Sequence, residues 1–573
     1  MKIRIATLVL LVASIACAPE EEPKTAEPAA TTVVDTAAAW GDVSAAFIEA
    51  TFEIDPVFAV YQGRHEYDGK LPDLTADGIT EQINYLRAWL EQARAIDPAG
   101  LAPRDAFERD LLLWYCDSRL FWLDTARWPF KNPEYYTRYF SPSVYITRKY
   151  APPATRLVAL TRWASAVPAA LLQMQANLIT PLPRAYIERG VGFFGGMAIY
   201  LERDVPPLFA RVGTPEQRAA FTSANTAAVE AFRTTQSWLE AQTPTAADDF
   251  AMGEALFTEM VHRTELVEQP LAEMEAWNRQ DQARNRAALD AACDLIAHGL
   301  ATNLCIKKVD ADKPARGPVT RGTRQLVELK RFVIDHDLVG VPSPEDALAA
   351  EAPPYQRANL AYIDIPGRYE SPKLPSIYYI SPPDPSWTAS EQRAYLPSEA
   401  SLMFVSSHEV WPGHFLQGLH SRAYAGPLGG LLTSYAFQEG WAHYGEELMW
   451  ESAFGKNDPK LHVGQLLSAL WRNVRFESAV GLHTRGMTLD QSEAMFRDQA
   501  FLDPGNARQQ AARGAYDPAY LGYTLGKLQI RALREDWCAS RGGKAAWKDF
   551  HDALLAYGAP PVPLARKYMM VPE

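Results

Sequence analysis

A mainly α-helical fold with a small β element near a cleft is predicted by three observations. Apolar residues recur at helical spacing over long stretches, strand-like runs are few, and neither an internal repeat nor a Pro/Gly/Ser linker interrupts the chain after its first 35 residues. The 573 residues are 47% apolar and 11% aromatic, ample for a large buried core. Ile79, Ile83, Leu86, Leu90 and Ala93 mark one amphipathic helix. Thr214-Pro215-Glu216-Gln217 reads as a helix start, with a capping residue, Pro at the first helical position and Gln three residues on. Helical stretches are also predicted over 103–127, 270–298, 433–452 and 520–540. The strand candidates, Ala361–Ile365 and Ser376–Ser381, are short β-branched or aromatic runs bounded by Pro. Residues 36–573 therefore read as a single helical domain, with room for two lobes around a cleft.

The start of the chain reads as an export signal over residues 1–17: Lys2 and Arg4 precede the apolar run Ile5–Ile15, and small Ala16 precedes Cys17. That run is about half of the roughly 20 residues needed to span a bilayer. Ser14-Ile15-Ala16-Cys17 resembles a bacterial lipoprotein signal. It implies a lipidated Cys17 and an exported chain anchored in the cell envelope, at the periplasm or outer membrane, touching the membrane only through that lipid. Residues 18–35, rich in Ala, Pro, Glu and Thr, read as a solvated tether. The net charge of -13 and the absence of a Lys/Arg block exclude a nucleic-acid partner, since phosphate binding needs a clustered positive field. Cys116, Cys293, Cys305 and Cys538 are too few for a disulfide scaffold and include no CxxC pair. Cys293 and Cys305 can pair in an oxidising compartment, and spacing leaves that open.

Of eleven histidines, His408, His414, His420 and His443 fall within 36 residues. Histidine is the commonest side-chain metal ligand, so the cluster is a candidate site. A common zinc helix spaces two histidines by four positions, with a Glu beside the first. Here Glu409 follows His408, but His414 lies six positions on. On a regular helix six residues leave the second histidine about 120° round and roughly 9 Å along the axis, too far to share an ion. Pro412 and Gly413 occupy the gap, and together they can bulge the helix and return His414 to the same side. His420, six residues further, reads as a packing residue.

A catalytic zinc takes three protein ligands and leaves the fourth position to water. Glu439 lies 25 positions after His414, and Gly426-Pro427 and Gly429-Gly430 allow the chain to turn and return antiparallel. Glu439 and His443 are one turn apart on a predicted helix. Glu439 is the expected third ligand and His443 the partner behind it, although spacing permits the reverse. Glu409, beside a ligand but not itself one, is the expected general base.

His-Glu-x-x-Pro-Gly-His over 408–414 and Glu-Gly-Trp-Ala-x-Tyr over 439–444 resemble the bacterial family catalogued as domain of unknown function eight-eight-five. That family is in turn similar to helical gluzincin peptidases, including thimet oligopeptidase and angiotensin-converting enzyme. The resemblance runs from Phe52-Glu53-Ile54-Asp55-Pro56 and Gly63 to Tyr523-Thr524-Leu525-Gly526-Lys527. It implies a gluzincin-like fold, a zinc ion, and hydrolysis of peptide or amide bonds in a deep cleft. It also implies that Arg475 lies near the metal in the same outer layer as His443. His483 and Tyr523 would then donate hydrogen bonds to the substrate oxygen as charge develops. Ala479 stands where the resemblance calls for an acid, two residues before Gly481.

The expectation is a zinc-dependent peptidase acting on short peptides. A zinc amidase for non-peptide or modified amides shares the same chemistry, and a lipoprotein that binds zinc or peptides without turnover is the third possibility. Glu409 counts against the third, because a binding site needs no base. Gly190-Val191-Gly192-Phe193-Phe194-Gly195 matches GxGxxG but lacks a clean preceding strand, and reads as close packing rather than nucleotide binding. No GxSxG elbow occurs. Tyr378 and Tyr379 read as packed aromatics in preference to an edge for an extended peptide.

Overall fold

Local helix signals in the sequence account for most of the architecture. The computed structural model describes residues 36–570, apart from 358, 372 and 373; the export signal, Cys17 and the tether lie outside the described residues. Thr75 caps the helix Ala76–Ala95, whose inner face buries Ile79, Ile83, Leu86, Leu90 and Ala93. Thr214 and Gln217 form a reciprocal capping box at the start of Pro215–Glu240. The other predicted stretches appear as Pro103–Leu120 with a following π turn, Leu271–Ile296, Tyr435–Glu451 and Gly522–Ala539. Pro153–Asn177 is long and apolar enough to cross a membrane by length and composition, yet it buries Leu157, Leu160, Trp163 and Leu171 in a core shared with Phe232. The GxGxxG glycines lie in Arg184–Ile199, where an added Cβ would come within 2.6 Å of Leu239 at Gly190 and 2.8 Å of Gln236 at Gly195. Gly190 and Gly195 are packing residues, while Gly192 is exposed with open space beside it.

Three strands form one sheet in the order β1-β3-β2, with β1 Ala347–Glu351, β2 Ala361–Asp364 and β3 Ser376–Ile380. β1 runs parallel to β3 and β2 antiparallel to it. β1 has the composition Ala-Leu-Ala-Ala-Glu, which carries no strand preference and hides it in the sequence. β3 is flanked on both sides, so its backbone has no free edge for a peptide; Tyr378 and Tyr379 are buried, as packed aromatics. Ser406 Oγ donates to Tyr378 Oη at 3.3 Å, tying the sheet to the helix that carries His408.

Four helices meet at a buried ionic cluster. Lys527, on the tyrosine helix Gly522–Ala539, places Nζ 2.6 Å from Asp281 on Leu271–Ile296 and 3.4 Å from Glu447 on the glutamate helix Tyr435–Glu451. Asn473, on the arginine helix Pro459–Thr484, donates to Asp281 at 3.0 Å, and Arg284 and Arg531 reach Glu447 at 2.6 and 3.1 Å. Burial alone would raise Glu447, but Lys527, Arg284 and Arg531 outweigh it and hold the carboxyl at about 2. A carboxylate depressed below its ordinary 4.5 contributes stability that is complete above that value and is lost as pH falls toward about 2. Lys527→Met leaves two buried acids short of their central cation and is expected to lower stability by about 3 kcal/mol, read as a shift in the urea midpoint at constant slope.

The glutamate and tyrosine helices also cross in backbone contact. A Cβ at Gly526 would sit 1.8 Å from Ala436 O, and one at Gly440 would sit 2.5 Å from Gly526 Cα. Only glycine fits at this crossing, which brings Tyr523 toward Glu439. A disulfide between Cys293 and Cys305, with Cα atoms 5.6 Å apart, joins Leu271–Ile296 to Thr302–Asp310.

Candidate metal centre

His408 lies in the last turn of the helix Glu399–Glu409, and His414 opens the next, His414–Ala423. Sequence reasoning expected a bulge within one helix; the chain instead breaks into two helices at Val410–Gly413, because Pro412 cannot continue the first. Gly413 N donates to Ser407 O at 3.0 Å, and a Cβ at Gly413 would lie 1.7 Å from His408 O, so the turn closes only over glycine. Trp441 on the glutamate helix donates Nε1 to Pro412 O at 2.9 Å, and Gly445 faces the Pro412 ring. The tight turn thus reverses His414 onto His408, their ring centroids 4.8 Å apart.

Glu439 completes the group. Its Oε2 lies 3.4 Å from His408 Nε2 and 3.3 Å from His414 Nε2, and makes no hydrogen bond although buried. One donor atom from each residue lies within 4.8 Å of the others. Zinc held tetrahedrally at about 2.0–2.1 Å sets its ligand atoms roughly 3.3–3.4 Å apart. These two separations match that edge length. Two imidazole nitrogens and a carboxylate oxygen are also the donor types of catalytic zinc sites, so the residues present fit the ion.

Behind the triad stands Glu446, which sequence reasoning missed. His408 Nδ1 lies 2.8 Å from Glu446 Oε1, leaving Nε2 to face the cluster. Ser468 donates to the other carboxylate oxygen, and Arg472 approaches within 3.6 Å. Burial pushes Glu446 up, but Arg472, His408 and His443 outweigh it and hold it well below the usual range, as an anion. Glu446 sits seven positions after Glu439, two turns along the same helix face, so its signal was present in the sequence. Glu446→Gln is expected to weaken zinc binding by about 10–100-fold, measured by competition with a chromophoric chelator.

The remaining predicted residues fall in different places. His443 is fully buried with Nδ1 3.5 Å from Glu446, and neither ring nitrogen makes a hydrogen bond, so its neighbour is Glu446 rather than Glu439. His483 Nε2 bonds Gly514 O at 2.7 Å and its ring stacks on Phe257; it is not among the residues lining the cavity at the triad. The oxyanion role expected of it has no geometric support. Arg475 makes its side-chain hydrogen bond to Gln510, not to the triad. His420 is engaged with Gly340 O at 2.8 Å.

A cavity of about 60 Å³ opens beside the triad, with Asn359, Ala361, His408, Glu409, Arg475 and Tyr523 in its wall. Larger cavities share walls with it on two sides, one through Asn359 and Arg513 and the other through Val405, Trp471 and Arg472. Glu409 makes no side-chain hydrogen bond among the described residues, and burial raises its pKa against the opposing pull of His408 and His414. Burial also raises the Tyr523 phenol, which keeps its proton; its oxygen accepts from Arg513 at 3.3 Å, leaving its own O–H to donate.

The sequence matches the family described as bacterial protein of unknown function (DUF885) over residues 56–569. A candidate lipoprotein of unknown function from Shewanella oneidensis superposes with a TM-score of 0.75 at 21% identity, covering 93% of this chain and 100% of that one. A candidate lipoprotein from Colwellia psychrerythraea gives a TM-score of 0.76 at 16% identity, covering 94% and 99%. These likenesses show a shared fold. No curated protein matches the sequence.

Proposed function

We propose a zinc peptidase as the function of this chain, which belongs to the bacterial family of unknown function DUF885. The observation that carries the proposal is that Glu439 Oε2 stands at a tetrahedral edge length from both His408 Nε2 and His414 Nε2, with the free carboxylate of Glu409 lining the adjoining cavity. Zinc bound there supplies Lewis acidity that makes water nucleophilic near neutral pH. Glu409 takes the proton from the attacking water and returns it to the leaving nitrogen. Tyr523 donates its O–H to the carbonyl oxygen as negative charge builds. Glu446 holds the His408 ring in orientation. The cavities adjoining the site give room for short peptides on either side of the scissile bond.

The test is zinc analysis of the purified protein paired with digestion of a peptide library, with and without chelator. The expected result is one zinc per chain and cleavage that chelation abolishes and zinc restores. A zinc-loaded protein that leaves the whole library intact sinks the peptidase assignment, and cleavage confined to non-peptide amides moves it to an amidase.

The proposed organisation is an export signal over 1–17, a tether over 18–35 and a catalytic unit over 36–573. An envelope location draws support from the Ser14-Ile15-Ala16-Cys17 segment, from the lipoprotein descriptions of the two structural relatives and from the Cys293–Cys305 disulfide, a bond that persists in oxidising compartments. Cys17→Ala is expected to move the chain from the membrane to the soluble fraction on cell fractionation.

A further inference from the structure

We infer that Arg475 anchors a carboxylate of the substrate. The inference rests on the peptidase function proposed above and names the substrate class, peptides that present an anion close to the scissile bond. Arg475 is only 5% exposed and lies on the arginine helix, with its guanidinium carbon 4.4 Å from the Tyr523 ring centre and 5.0 Å from that of Trp471. Its Nε donates to Gln510 Oε1 at 2.8 Å. Among the described residues no carboxylate lies within ion-pair distance of it, and Nη1 and Nη2 make no hydrogen bond. Its neighbours differ: Arg472 has Glu446 at 3.6 Å and Arg513 has Asp517 at 3.0 Å.

A guanidinium does not shed its proton as a buried lysine or histidine does, so burial without a counter-charge leaves an unbalanced cation. Arg475 lines the cavity that holds His408, Glu409 and Tyr523. Three arginines and one carboxylate, that of Glu409, stand in this wall, within a chain of net charge -13. Arg472 and Arg513 are matched by Glu446 and Asp517, so Arg475 is the cation of this wall left to attract an anion. With Nε held by Gln510, the two terminal nitrogens form a fork that matches the two oxygens of a carboxylate. The guanidinium packs 4.4 Å from the Tyr523 centroid and the same ring stacks 6.0 Å from His408, which caps the separation at about 10 Å. That is the reach of roughly three extended residues. The carboxylate comes from the peptide C-terminus or from an acidic side chain near the cleaved bond.

The experiment reads binding without turnover, so it stands apart from the peptidase assignment: metal-free protein in chelator is titrated calorimetrically with acetylated tripeptides. One arm compares Ala-Ala-Ala with a free or amidated C-terminus; the other compares amidated Ala-Glu-Ala with Ala-Gln-Ala. The carboxylate is expected to tighten binding by about tenfold or more in at least one arm, which identifies its source. Arg475→Gln is expected to shrink that ratio to about twofold or less, and Arg475→Lys, which keeps the charge but loses the fork, to an intermediate value. Wild-type protein that fails to discriminate in both arms overturns the inference, as does an Arg475→Gln protein that discriminates fully. Should the Gln variant not fold, undiminished discrimination in the Lys variant overturns it equally. Discrimination in a protein that cleaves no peptide would retain the anion site and remove the peptidase.

Discussion

Glu409→Gln is expected to retain one zinc per chain while hydrolysis falls by about a thousandfold or more. The asymmetry follows from where the side chain sits. Glu409 is buried beside His408 yet makes no hydrogen bond within the described protein, so an amide of the same shape breaks no structural contact. What the amide cannot do is accept the proton of the attacking water. Initial rates at saturating zinc, with metal content measured on the same sample, separate the two effects. Turnover retained in the variant would dismiss Glu409 as the base, and zinc lost together with activity would mean that the side chain helps hold the ion.

His414→Ala is expected to release most of the zinc. The loss should exceed the roughly 10–100-fold cost of removing an outer hydrogen-bond partner such as Glu446. His443 is not poised to replace His414, because it is fully buried beside Glu446 and lies outside the cluster of three. Chelator competition reads the affinity directly, and undiminished zinc in the variant removes His414 from the coordination sphere. Circular dichroism should change little, since His414 begins a helix at a partly exposed position, its side chain 16% exposed, and makes no structural hydrogen bond.

The helical architecture was legible because periodicity and caps act locally: Thr75, Thr214 and the apolar stripe of Ala76–Ala95 each work over a few residues. The short β1 was not, since it becomes a strand only by pairing with β3. At the site, residue types in a fixed order indicated His408, His414 and Glu439, but the path between the histidines did not follow from spacing. Two helices meeting at a Gly413-bound turn achieve what a bulge was expected to do, and the deciding contact, Gly413 under His408 O, is absent from any one-dimensional pattern. His483 shows the opposite failure. The family resemblance pointed to it, but it lies eight positions beyond Arg475 on one helix, about 12 Å along the axis, and is not among the residues lining the cavity. Glu446 was overlooked although its seven-residue offset from Glu439 is an ordinary helical signal; His443 and Arg475 were named as the supports instead.

The crossing of the glutamate and tyrosine helices has a consequence for engineering. Exchanging glycine for alanine inside a helix ordinarily gains about 0.5–1 kcal/mol, which makes Gly440 and Gly526 tempting targets for anyone seeking a sturdier protein. At these two positions the added methyl would wedge the rods apart and drag the phenol of Tyr523 away from the carboxylate of Glu439. The distance between those groups is kept by missing atoms, and a thermostabilised variant should leave both vacancies as they are.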